Sequence, residues 1–404
     1  MVRHPTCDGV TGMPDRGCAA STSSWTHRRR CRFRSVLRGA AIALTVGLLG
    51  ACAPRGELVV LPEAETTGTV VGVLSATSRG PGETTAIGAR ERSETLRWAE
   101  FRVSVPPRRE TGTVTYPRSA APNPETDFLI VSGTDIADER WFLAALNAQL
   151  GRRPREAREV TLFVHGFNST FAEGLYRHAQ MAHDFNSPGV SLFYSWPSAG
   201  SVMAYPFDRE SALFARDGLE QLASVVARST ARDMVLVGHS MGALVVMEAV
   251  RQMAIRRSDQ VLDKLQAVVL IAPDLDVDVF RMQVAALTPR EVPIYLVVSG
   301  RDRALRVAGL LRGQDERLGS IREAERVSGL PGVFVLDVTD VRGSGDPLNH
   351  FAVVTSPAMI ALLSGLERHG LAMLRDDASQ GNVFEATLGV VSGVTQAVLQ
   401  PLAR

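Results

Sequence analysis

The chain has 404 residues, a formal net charge of +1, 45% hydrophobic and 22% charged residues. Near-neutrality, with no basic run beyond the first forty or so residues, argues against nucleic acid as a partner, and the length is ample for a sizeable core. All four cysteines (Cys7, Cys18, Cys31, Cys52) precede residue 53, so disulfides, thiolate metal sites and cysteine nucleophiles are excluded from the remainder.

The N-terminus reads as a leader. Up to Arg38 there are eight Arg against two Asp in a polar, structureless composition, and residues 39–51 (GAAIALTVGLLGA) are apolar up to Cys52. A basic stretch, a short apolar run and small residues before the cleavage point make a secretory signal. The run is too short for a spanning helix, which needs about 20 residues. Leu49-Gly50-Ala51-Cys52 resembles a bacterial lipobox, which implies that Cys52 becomes the lipidated first residue of an exported envelope protein. Ala53 after it, rather than Asp, implies by the same resemblance the outer membrane, facing the periplasm. The long polar leader suggests that translation starts at Val36. The expected organisation is a leader and signal over 1–52, a tether over 53–67, a domain over 68–370 and a helical tail over 371–404.

Within the domain, residues 69–76 (TVVGVLSA) and 100–105 (EFRVSV) are strand-like, with a Gly- and charge-rich loop over 77–93 between them. Pro106-Pro107 ends the second strand, since proline cannot donate to a ladder. Residues 128–131 read as a further short strand. Trp141, Leu143, Leu146 and Leu150 carry helical spacing over 138–150. This part, 68–155, reads as leading strands of a larger sheet. Over 156–370 apolar runs at 160–164, 190–194, 234–237, 267–271, 294–298 and 333–338 alternate with helix-like segments. That alternation predicts βαβ units, and so an α/β fold with a mainly parallel sheet and helices on both faces. Chemistry in such sheets gathers at the carboxyl ends of strands.

The run at 234–237 drives into Gly238-His239-Ser240-Met241-Gly242 and then an apolar helical segment, 243–253. A G-x-S-x-G between strand and helix is the setting of a nucleophile elbow. By chance alone the bare pattern appears about 0.2 times in a chain of this composition, so the strand–turn–helix setting carries the reading. Glycines permit the tight turn, Ser240 is raised above the sheet, and the Met241 N–H at the helix N-terminus is an oxyanion donor.

Other strand ends add partners. The run at 160–164 leads to His165-Gly166-Phe167-Asn168. That at 190–194 leads to Ser195-Trp196-Pro197-Ser198, with Tyr205, Asp208 and Arg209 beyond, residues better suited to capping and core filling than to substrate. Two further ends carry Asp274 and Asp302, either of which can orient a base; Asp274, with Asp276, can instead cap the helix containing Val279 and Phe280. The last run leads to Asn349-His350-Phe351 and a helical 358–366. His350 is the base by elimination. Of eight histidines, two precede residue 53, His165 and His239 belong to the glycine motifs, and His369 ends a helix. His178 and His183, five apart on a helix, point to different faces and are poor metal ligands.

The order Ser240, Asp, His350 is that of α/β-hydrolases. Residues from about 66 to 369 resemble bacterial α/β-hydrolase-fold proteins of largely undetermined activity, described as esterase- or lipase-like. The resemblance is carried by VHGFN (164–168), FYSWPSAGS (193–201), DRESALFARD (208–217), GHSMG (238–242), APDLDVDVF (272–280) and RDRAL (301–305). It implies the α/β-hydrolase fold and a serine hydrolase cleaving small-molecule or lipid carboxylic esters. It also implies Asp302 as the acid in preference to Asp274, and the Phe167 N–H as second oxyanion donor beside Met241. No metal or cofactor is implied, and a membrane is contacted through the lipid anchor. Asn349 stands where the family pattern has Gly, and the tail lies outside that pattern. Phe384, Leu388, Val391, Thr395 and Val398 are at helical spacing there, which predicts a docked helix. The same machinery also suits thioesters, amides or acyl transfer, and the fold also suits a non-catalytic envelope scaffold.

Overall fold

The computed structural model describes residues 56–81, 90–117, 121–287, 290, 292–305, 317–320, 326–327, 329–340, 350, 352–357 and 359–360, with the strands 383–391 and 394–401. The expected leader, start at Val36, Cys52, residues 371–382 and all of the expected 358–366 helix except Met359 and Ile360 lie outside them.

In chain order the strands are β1 (Thr69–Arg79), β2 (Arg92–Val105), β3 (Leu129–Ile136), β4 (Glu159–Val164), β5 (Val190–Ser195), β6 (Asp233–His239), β7 (Leu265–Ile271), β8 (Ile294–Val298), β9 (Val333–Asp337), β10 (Val383–Val391) and β11 (Val394–Pro401). The helices are α1 (Glu139–Gly151), α2 (Phe171–Asp184), α3 (Tyr205–Arg228), α4 (Met241–Ile255), α5 (Asp259–Leu262), α6 (Val277–Leu287) and α7 (Ala352–Thr355). The described strands form one 11-stranded sheet in the order β11-β10-β9-β8-β7-β6-β4-β5-β1-β2-β3. Pairing is parallel from β1 through β5, β4, β6, β7, β8 and β9 to β10, while β2, β3 and β11 join antiparallel at the two edges.

The apolar runs become central parallel strands because both faces of the sheet are covered. Along β4, Leu162 and Val164 face a core shared with α1, α3, α4 and α6, whereas Phe163 faces a second core built around α2. Local signals set the helix starts. Asp138 accepts from the Arg140 and Trp141 N–H groups to cap α1, and Thr170 and Glu173 form a reciprocal capping box on α2.

Two expectations are corrected. Residues 56–67 are no tether. Leu61 N–H donates to the Ile130 carbonyl (2.8 Å), Ile130 N–H to Val59 (2.9 Å), and Pro62–Thr66 form a 3-10 turn with Ala64 fully buried. The edge strand β3 offers unpaired backbone groups, and this segment satisfies them. The described part of the tail is not helical: residues 383–391 and 394–401 form β10 and β11, an antiparallel pair whose inner strand pairs with β9. Val383, Phe384, Thr387, Val390, Val391, Val394, Thr395 and Val398 are β-branched or aromatic, and an exposed edge at β9 outweighs a helical spacing of five residues.

Candidate active site

Ser240 sits between β6 and α4 with φ 53° and ψ −122°, a backbone conformation that costs energy in any residue but glycine. The surroundings hold it there. Ser240 N–H donates to the Ile271 carbonyl (2.9 Å), and its own carbonyl accepts from Ala243 (3.0 Å) and Asp274 (3.1 Å). The flanking glycines are needed for close approach: a Cβ on Gly238 would lie 2.8 Å from Ala243 Cα, and one on Gly242 2.4 Å from the carbonyl oxygens of Val164 and His165. A Cβ on Gly166 would lie 2.8 Å from His239 Nδ1 and 2.9 Å from Ser240 Cβ, so the His165-Gly166 step rests directly against the elbow. Met241 opens α4, and its N–H has no carbonyl four residues back within the helix.

His350 lies near Ser240. Its Nδ1 meets Asp302 Oδ2 at 2.6 Å, and Asp302 Oδ1 accepts the Leu305 N–H at 3.0 Å. Asp302 is almost fully buried and His350 only slightly exposed. The His350 ring stands edge-on to His239, with centroids 4.7 Å apart. Burial first, and the neighbouring His350 second, hold the His239 imidazole well below its ordinary range, so His239 is neutral at neutral pH.

The other acid is committed elsewhere. Asp274 Oδ1 accepts Arg317 Nε at 2.6 Å and Oδ2 accepts the Tyr205 hydroxyl at 2.6 Å. Asp276, not Asp274, caps α6, accepting from the Asp278 and Val279 N–H groups (2.9 and 3.1 Å). Arg317 is buried, and its Nη1 has no hydrogen-bond partner. Tyr205 thereby links Asp274 to the glycine loop, its ring lying edge-on to Phe167 at 5.0 Å.

Behind the loop stands a residue that sequence reasoning missed. Arg79, at the end of β1, is buried and ties three segments together: Nε donates to Ser195 Oγ (2.9 Å), Nη1 to the Ser198 carbonyl (2.8 Å) and Nη2 to the Ser169 carbonyl (2.9 Å). Burial lowers its pKa to about 10, opposed by Asp208 and Glu173, so it stays cationic at neutral pH. His165 stacks on Trp196 (5.1 Å), accepts Trp196 Nε1–H at its carbonyl (2.6 Å), and is lowered by burial and by Arg79 to about 3. Asp208 accepts from Ser198 Oγ (2.6 Å) and Ala199 N–H (2.7 Å); burial raises its pKa, and those hydrogen bonds oppose the rise. Ser195, Trp196, Ser198 and Asp208 are therefore framework beneath the site. No local pattern marks Arg79 or Arg317, each a lone arginine whose partners come from distant segments.

A further polar network backs the histidine side. Buried Gln180 on α2 donates to the Val354 carbonyl of α7 (3.1 Å) and to Asp184 Oδ2 (2.8 Å), and accepts from Arg177 (2.9 Å). Burial alone would raise the Asp184 pKa, but hydrogen bonds from His183, Arg109, Gln180 and the Gly112 N–H hold it well below the carboxylate range. His178 lies buried on the other side of α2, stacked on Phe163 at 5.5 Å, and neither ring nitrogen has a hydrogen-bond partner. Among the described residues no group of three or more His, Cys, Asp or Glu side chains is placed to hold a metal ion.

A doubly covered parallel sheet, a strained serine on a strand–helix turn and a histidine–carboxylate pair beyond the ends of later strands define an α/β hydrolase. The chain belongs to the family described as alpha/beta hydrolase of unknown function (DUF900), whose model matches residues 142–366, more than half of the sequence. No curated protein matches it. Among solved structures, a lipase-esterase related protein from Clostridium acetobutylicum is similar at 12% identity over 54% of this chain and 96% of that one, with a TM-score of 0.33. Dienelactone hydrolase from Anabaena variabilis is similar at 15% identity over 55% and 88%, with a TM-score of 0.34. A fungal esterase from Rhizomucor miehei is similar at 14% identity over 77% and 87%, with a TM-score of 0.33. At these identities and scores the likeness does not extend to activity.

Proposed function

We propose that this α/β hydrolase is a serine hydrolase of carboxylic esters, held in the cell envelope by a lipid on Cys52. The observation that supports the chemistry most is the 2.6 Å contact of His350 Nδ1 with a buried Asp302, beside an elbow that holds Ser240 at φ 53°. With Nδ1–H donated to Asp302, Nε2 carries the lone pair and is the basic nitrogen. It takes the Ser240 hydroxyl proton as Oγ attacks the ester carbonyl, while the Met241 and Phe167 N–H groups receive the developing oxyanion. The tetrahedral intermediate collapses, the C–O bond to the alcohol breaks, and His350 returns the proton to the departing alkoxide. Water, deprotonated by the same nitrogen, then releases the carboxylic acid and restores Ser240. The envelope placement is supported by the sequence of residues 39–52 alone.

A fluorophosphonate probe tests the chemistry. Wild type is expected to be labelled, Ser240→Ala not at all, and His350→Ala only weakly. A folded wild type that takes no label would sink the reading and turn the search to binding partners of a non-catalytic scaffold.

A further inference from the structure

We propose that the face at the carboxyl ends of the strands rests on the lipid bilayer that holds the anchor, so that Ser240 draws its ester substrate from the lipid phase; this rests on the esterase and Cys52-lipidation reading above.

The first support is the length of chain available. Gly56 is buried, its N–H donates to Glu173 Oε1 (3.2 Å) and its carbonyl accepts from Thr170 Oγ1 (3.3 Å). Thr170 and Glu173 are the capping box of α2, directly after the loop that presses Gly166 on Ser240. Only residues 53–55 separate Cys52 from this pinned point. At about 3.3–3.6 Å per residue, chain connectivity alone keeps the Cys52 backbone within about 14 Å of Gly56. A lipid on Cys52 therefore reaches the bilayer from the catalytic end of the sheet. A flexible tether reaching to residue 67 would impose no such orientation.

The second support is what that end exposes. Val202 and Met203 follow the end of β5, Phe207 lies in the first turn of α3, and Val279 and Met282 lie in the first two turns of α6, after β7. Met203 is 86% and Met282 67% exposed, and these five are among nine large hydrophobic side chains exposed on the described residues. Single exposed apolar residues are ordinary, but five on one edge are not. The two segments that carry them are joined: Tyr205 bonds Asp274 at 2.6 Å, and Arg209, two residues after Phe207, lies in the field of Asp274 and Asp276 just before α6. Tyr205, in the same turn as Phe207, also meets the Phe167 ring of the loop that rests on Ser240. Glu210, Asp278 and Arg281 give this edge mixed charge. The contact is therefore apolar insertion rather than attraction to anionic headgroups, and the occupant is a bilayer, which the short anchor places within reach.

The body carries no cysteine apart from Cys52, which makes the test direct. The full lipidated chain is reconstituted into phosphatidylcholine vesicles with an environment-sensitive thiol dye at Met203→Cys or at Ile255→Cys, an exposed position at the opposite end of the sheet. A blue shift and quenching by brominated acyl chains are expected at 203 and not at 255. In the paired variant Val202→Ser/Met203→Ser, turnover of an ester dissolved in the vesicles should fall about tenfold. Hydrolysis of a water-soluble short-chain ester and fluorophosphonate labelling should stay within about twofold. Equal shifts at both positions, no shift at 203, or unchanged vesicle turnover in the paired variant would overturn the proposal. So would a shift at 203 that follows protein concentration without vesicles, which would assign the patch to a second copy, or an intact mass showing Cys52 unmodified. Absence of fluorophosphonate labelling marks failure of the esterase reading separately, since the dye result decides the orientation by itself.

Discussion

Asp274 and Asp302 stand at the ends of neighbouring strands, β7 and β8, and both are almost completely buried, yet they serve different partners. Asp302 meets an imidazole that can gain and lose a proton; Asp274 meets a guanidinium that cannot, and a tyrosine hydroxyl. A carboxylate on a histidine fixes a tautomer and stabilises the imidazolium that forms during reaction. A carboxylate on a buried arginine neutralises a charge that would otherwise be stranded. The same residue type at equivalent places therefore meets a partner that can titrate in one case and a fixed charge in the other.

Substitution separates the two most sharply. Asp302→Asn should leave the fold intact and lower kcat by about 10⁴-fold, measured on a soluble ester beside circular dichroism. Asp274→Asn should do the reverse, costing about 3–5 kcal/mol in denaturant unfolding because Arg317 is left uncompensated, with kcat of the folded fraction within about tenfold of wild type. Joint replacement, Asp274→Leu with Arg317→Met, should recover most of that loss. If Asp274→Asn were stable but inactive and Asp302→Asn active, the assignment of the acid would be reversed.

The pH profile sharpens the comparison next. A base histidine must be neutral, so activity should rise across about pH 6–7 and level off above it. His239 and His165 are kept neutral by burial through that range, so His239→Gln should lower the plateau without moving the inflection. A flat profile from pH 5 to 8 would count against His350 as base.

The smallest effect concerns stability. His178 is buried without partners, and burial holds its pKa down to about 3. The unfolded chain takes a proton there near pH 6.5 while the folded chain does not, so this contribution to stability is lost progressively as pH falls from about 6.5 towards 3. His178→Leu should flatten that part of the Tm-against-pH curve and raise Tm at pH 7 by about 2–4 °C, removing two unsatisfied nitrogens. A steeper acid slope in the variant would show that His178 has a partner in solution.

Much of this was legible in advance because it is written locally. The run at 294–298 (IYLVV) is apolar at every position and that at 160–164 (VTLFV) at all but Thr161, which suits a strand covered on both faces, and Ile294–Val298 matches its run residue for residue. Where the pattern was read with the wrong period, neighbours decided. Phe384, Leu388, Val391, Thr395 and Val398 fit a helix on spacing, but the β-branched and aromatic residues of 383–391 and 394–401 and the open edge of β9 make these segments strands. Among the Pro, Glu and Thr of residues 56–67, the short apolar run at 58–61 completes the edge at β3, and Gly56 closes on the α2 cap.

By itself the sequence determined the G-x-S-x-G turn between strand and helix, the order of Ser240, the two aspartates and His350 along the chain, the parallel core and the absence of cysteine after residue 52. Each is a matter of residue type and short spacing, where backbone sterics and side-chain periodicity act within a few residues. Only the tertiary structure decided which aspartate meets His350, 48 positions away, which meets Arg317, 43 positions away, and how Arg79 gathers loops more than 85 positions further on. Those pairings depend on where folded strands deliver their ends, and desolvation makes each one obligatory once the ends are buried, a constraint that no local pattern of residues carries.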